Sequence, residues 1–145
     1  MTILSFIVSI WLLAIAALHL AWAGGSSFPA ASEEKLAHLV AGFRGQDRMP
    51  PRSASALVAV MLGLAGYLAL ALSSLVAWPL GTWLLGGAGA LLALVFLARG
   101  AAAYTRQWRA WTPQEPFATL DRLYFGPLCL LLGAGFVFLT TGYMA

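Results

Sequence analysis

Four stretches of the chain, Ile3 to Ala23, Ala54 to Ala77, Leu80 to Ala98 and Leu123 to Met144, are continuously apolar and contain no Lys, Arg, Asp or Glu. Each is close to the roughly 20 residues that a helix rising about 1.5 Å per residue needs to cross a hydrocarbon core of about 30 Å. Strands of a membrane barrel would alternate polar and apolar positions over segments of about ten residues, and these Leu, Ala and Gly runs do not alternate. The pattern predicts an all-α integral membrane four-helix bundle, one four-span domain over residues 1–145. The first run ends in Ala21-Trp22-Ala23, which has the small-residue form of a leader cleavage site. It lacks a basic start and exceeds a usual leader core, so it is expected to stay as a helix.

Between the apolar runs the pattern turns amphipathic. In the first connection, Gly24 to Arg52, Ser32 is followed by Glu33 and Glu34, and Leu36, Leu39, Val40 and Phe43 recur at helical spacing. This predicts a short capped helix, expected to lie on the membrane surface, with folding over the bundle mouth as the alternative. Met49-Pro50-Pro51 imposes extended backbone before the second span. Trp78-Pro79-Leu80-Gly81 predicts a tight hairpin that makes spans two and three antiparallel neighbours, with Trp78 and Trp83 in an aromatic belt. Continued past Ala98, the third helix would carry Tyr104, Trp108 and Trp111 on one face and Arg99, Arg106 and Arg109 opposite. Such an extension docks on anionic lipid headgroups, each basic residue contributing about 1 kcal/mol. Small residues four apart, Ala59 and Gly63, Gly89 and Ala93, Cys129 and Gly133, predict close helix packing within the chain.

Composition removes other classes. The chain is 61% hydrophobic and only 9% charged, with a mean hydropathy of +0.86. A soluble globule of 145 residues could not bury that surface, and a disordered chain would be far more polar. One cysteine, Cys129, excludes an intrachain disulfide, a CxxC pair and a cysteine zinc cage. All eight Lys and Arg fall in two connections, so the positive-inside rule places both connections in the cytoplasm and both termini outside. They form no basic groove, and no nucleic-acid partner is expected.

No Lys, Arg, Asp, Glu or His lies near the middle of a span, which argues against a transporter or channel. The polar residues instead converge on one end, where His19, Trp22, Arg99, Asp121, Arg122 and Tyr124 are expected to line a mouth. His19, Trp22, Arg99, Asp121 and Tyr124 are the candidate ligand contacts, and His19 and Asp121 the candidate catalytic pair. The plainer readings are a structural hydrogen bond for His19 and, for Asp121, a helix cap or a pair with Arg99 or Arg122. Gly126-Pro127 must start or bend the fourth helix. His19 and His38 are the only histidines, with no H-x-x-x-H spacing, so no metal or cofactor is expected.

Two stretches, Leu18-His19-Leu20-Ala21-Trp22-Ala23-Gly24-Gly25 and Phe117-Ala118-Thr119-Leu120-Asp121-Arg122-Leu123-Tyr124-Phe125-Gly126-Pro127-Leu128-Cys129-Leu130, resemble a family of small four-helix bacterial membrane proteins of unknown function. The resemblance implies a bacterial inner-membrane location and adds weight to His19, Trp22, Asp121, Tyr124, Pro127 and Cys129. It implies no activity. The expected function is that of a non-catalytic accessory or small hydrophobic-ligand-binding membrane protein, with a membrane-protein partner or such a ligand. The alternative is a small enzyme acting on a lipid or quinone-like substrate, with His19 as acid or base, Asp121 orienting it and Arg99 holding an anion. A transporter or channel is the third class.

Overall fold

The computed structural model describes all 145 residues, from Met1 to Ala145. Helices α1 (Thr2–Ala23), α3 (Arg52–Leu72), α4 (Thr82–Ala102) and α6 (Phe117–Met144) are long and apolar enough to cross a membrane. Two short helices, α2 (Glu33–Val40) and α5 (Arg106–Trp111), lie in the connections, and there are no strands. The outer faces carry Ile3, Ile10, Leu57, Leu64, Leu94 and Phe138, all largely exposed. A surface that is apolar outward is at home only in lipid, so this is a multi-pass membrane protein.

The four helices pack as two antiparallel pairs, α1 on α3 and α4 on α6, with α3 and α4 touching more lightly. One core runs through both pairs, built on Val8 and Leu12 of α1, Leu68 and Leu72 of α3, Leu85 and Ala93 of α4, and Leu132, Phe136 and Leu139 of α6. Ser9, Leu12 and Ala16, the stripe that leads along α1 to His19, are buried. Gly89 and Gly133 do the packing expected of them. A side chain at Gly89 would overlap Thr140, and a Cβ at Gly133 would lie 2.7 Å from Leu97 Cγ. A side chain at Gly63 would meet open space, although its partner Ala59 is buried.

Three expectations are corrected. The second helix stops at Leu72 rather than Ala77, because the chain turns at Ser73 and Ser74, the latter at φ +56°. Residues 73–81 then form a longer connection than a tight hairpin, with Val76 and Trp78 packed on the core. Apolar residues that plug the end of a bundle have the hydropathy of a span, which is why the run looked continuous. The third helix does not continue as one amphipathic rod. It ends at Ala102, and Thr105 accepts a bond from Trp108 N–H to start α5 afresh. This break swings Trp108 onto Arg99, Cζ lying 4.7 Å from the indole centroid, where an unbroken helix would hold them apart. Finally, α2 lies over the bundle mouth. Ser32 caps it as expected, but Leu36 and Ala37 are fully buried and the helix packs on the start of α6.

The two connections together cap the helix ends. Backbone hydrogen bonds join Arg44 N–H to Trp111 O at 3.3 Å and Gln114 N–H to Gly42 O at 3.2 Å. The Phe43 and Trp108 rings meet edge to face at 6.2 Å. Gly42 sits at φ +66°, and a side chain there would overlap the buried Phe117 ring. Both its conformation and its closeness to Phe117 require glycine.

Candidate functional site

The fourth spanning helix begins at Phe117, six residues before the expected Leu123, and runs through Pro127. It does so by widening into one π turn, Asp121–Phe125, in which Gly126 N–H reaches back five residues to Asp121 O. Proline lacks an N–H and its ring crowds the carbonyl four residues earlier, so a wider turn relieves the conflict that an α-helix would hold. Gly126-Pro127 therefore reshapes the helix without starting or breaking it.

Within that turn Asp121 is only 2% exposed. Arg99 Nη2 donates to its Oδ1 at 2.6 Å and Trp108 Nε1 donates to its Oδ2 at 2.8 Å. Arg99 also lies over the Trp108 ring. Helices α4, α5 and α6 each supply one member of this triad. The pairing with Arg99 is one of the roles expected for Asp121. Both carboxylate oxygens are engaged, and only Arg99 Nη1 among the triad's polar atoms is buried without a partner. The cluster is a latch whose carboxylate has no free oxygen. Arg122 turns instead to Ala118 O at 3.3 Å, and Tyr124 is 63% exposed on the outer surface, away from any mouth.

His19 and Trp22 belong to a different place. Their rings meet at 4.6 Å, Trp22 Nε1 donates to Phe28 O at 2.6 Å, and His19 Nδ1 lies 2.9 Å from Ile15 O. A carbonyl oxygen only accepts, so Nδ1 donates this bond and Nε2 takes no part in it. The two side chains line a cleft of about 130 Å³ between α1 and α3, with Ser55 and Val58 on one wall and Val40, Ala41, Met49 and Pro50 as its roof. The structure thus divides the expected mouth in two. His19 and Trp22 border an open cleft, Arg99 and Asp121 form a filled latch, and Asp121 does not bond to His19.

Two features went unseen in the sequence. Trp108 completes the Asp121 latch, and its role follows only once α4 is known to end at Ala102. Glu34, His38 and Asp47 offer ligand atoms that all lie within 4.8 Å of one another on the outside of the cap. The spacing of Glu34 and His38, four apart on α2, was the available signal for the second.

A family model described as a protein of unknown function (DUF3995) matches residues 12–136, which includes both connections and the whole of α2 to α5. No curated protein and no solved structure matches the chain.

Proposed function

The chain belongs to the DUF3995 family of proteins of unknown function, and from that premise we propose that it is a non-catalytic membrane protein that binds a small hydrophobic ligand in the His19 cleft. The observation that carries this reading is an apolar cleft lined by His19, whose Nδ1 is engaged by Ile15 O so that Nε2 is the ring nitrogen left for a ligand. A volume of about 130 Å³ is well below the roughly 300 Å³ of a drug-sized site. It suits a single ring or short headgroup that carries a hydroxyl or N–H donor, its apolar tail running out into the bilayer. The enzymatic alternative draws less support, because His19 has no carboxylate to orient it. Native mass spectrometry of the full chain, extracted gently from its membrane, tests the proposal. The expected result is a stoichiometric small amphiphile that is lost in His19→Leu and kept in Tyr124→Phe. A wild-type protein that is bare, or one whose ligand survives His19→Leu, overturns it.

We further infer that the chain is one four-span domain of a bacterial inner membrane, with both connections in the cytoplasm. Its support is that every Lys, Arg, Asp, Glu and His lies at the end of the bundle that carries the cap. Arg106 and Arg109 are exposed there and meet anionic headgroups, whereas Arg99 is committed to Asp121. In a Cys129→Ser background, an impermeant maleimide should label Thr82→Cys in intact cells and reach Gln107→Cys only after lysis. The reverse labelling pattern would invert the topology.

A further inference from the structure

The exposed rim of the cap carries a ligand set that neither the cleft nor the latch uses. Glu34 and His38 stand four apart on α2 and therefore share one face of that helix. Asp47 comes from the following segment, brought back by the glycine turns at Gly42 and Gly45. His38 Nε2 and Asp47 Oδ1 are 2.9 Å apart, and the Glu34 carboxylate completes a trio within 4.8 Å. The surroundings are basic, not acidic, since Lys35, Arg44 and Arg48 lie within a few residues. Yet neither Glu34 nor Asp47 forms an ion pair with any of these cations, and Asp47 meets the imidazole instead.

We propose that Glu34, His38 and Asp47 form a site for a divalent metal ion of the zinc class. One imidazole nitrogen and two carboxylates bring two negative charges to a dication, and this nitrogen and oxygen set is one that zinc accepts. Two ligand atoms each about 2.0–2.1 Å from one ion, at angles between a right angle and a tetrahedral one, lie about 2.9–3.4 Å apart. The His38 to Asp47 separation of 2.9 Å, held by a hydrogen bond, falls at the close end of that range, and the side chains must draw in from a spread of up to 4.8 Å to hold the ion. On binding, His38 Nε2 gives up any hydrogen it holds to water and donates its lone pair to the metal. Water completes the coordination, because Glu34 and Asp47 are exposed. The ligands join α2 to the segment before Met49, and Val40, Ala41, Met49 and Pro50 from those two pieces roof the His19 cleft. A bound ion staples that roof, but its binding does not depend on any ligand below.

The test uses the full chain in detergent, stripped with a chelator and titrated with Zn²⁺ by calorimetry, with Co²⁺ absorption as a second readout. One saturable site is expected, with visible Co²⁺ bands of nitrogen and oxygen coordination. His38→Gln and Asp47→Asn should each weaken binding by at least about tenfold, while His19→Gln leaves it unchanged. Because these side chains are exposed or half-buried, the variants keep the fold, which size-exclusion and helical circular dichroism confirm independently. No saturable binding below millimolar Zn²⁺, or binding that is lost in His19→Gln and kept in His38→Gln, overturns the proposal.

Discussion

Replacing Asp121 by Leu should lower the midpoint of thermal unfolding in detergent by about 10 °C, one of the two largest single-residue effects expected in this chain. The substitution strips the guanidinium of Arg99 of its counter-charge and the Trp108 indole of its acceptor at once. Arg99 has no reserve, because its Nη1 is already buried without a partner. Breaking a buried pair from one side costs about 3–5 kcal/mol. The 32% exposure of the Arg99 side chain places the loss near the lower end, since water still reaches part of the group. Asp121→Asn keeps an acceptor for one donor and should lose roughly half as much. The double substitution Arg99→Met with Asp121→Leu should recover most of the loss, because it removes the charge that was left alone. An Asp121→Leu protein as stable as the wild type would show that the triad does not latch α4, α5 and α6 together.

The latch also marks where sequence reasoning stops. Spacing alone placed Asp121, Tyr124 and His19 at one mouth. Direction was the difficulty. On an α-helix residues three apart share a face, so Asp121 inside implies Tyr124 inside. The π turn admits about one extra residue and shifts the phase within itself, and Tyr124 emerges at 63% exposure while Asp121 stays at 2%. Hydropathy does not register such a turn, because Leu123, Tyr124 and Phe125 suit either arrangement. Pro127 was the visible cause, but its outcome depends on how closely α4 approaches.

The spans themselves were legible because lipid imposes a length and removes charge, two properties written directly in the residues. The cap was not, apart from the Ser32 start of α2. Its contacts, Gly42 against Phe117 and Arg44 N–H to Trp111 O, join residues far apart in the chain. Periodicity reports which face of a helix is apolar and is silent on what covers it. Leu36 therefore read first as a membrane anchor, with a plug for the mouth as the alternative. Its complete burial against the protein decides for the plug.

Gly133→Leu should destabilise the bundle by about 3 kcal/mol, whereas Gly63→Leu should change it by less than about 0.5 kcal/mol. Both glycines lie in spanning helices and both belong to small-residue pairs, so the sequence treats them alike. The geometry does not. At Gly133 a new Cβ would stand 2.7 Å from Leu97 Cγ and 2.9 Å from Leu97 N. The Leu97 side chain can rotate away, but the backbone nitrogen cannot, and α4 and α6 must part. The same helices approach closely again where a Cβ at Gly100 would meet Gly126 O at 2.9 Å, so separation at one level loosens the other. In lipid no hydrophobic force compensates, since tails cover the parted faces as well as side chains do. Only the lost close packing counts, which sets overpacking by a leucine at the upper end of the usual range of about 1–3 kcal/mol. At Gly63 nothing lies within 4 Å, and a leucine there simply extends the lipid-facing surface. Equilibrium unfolding of the two variants in one detergent, followed by circular dichroism, compares them directly. Equal stability would mean that α4 and α6 are not held by this contact.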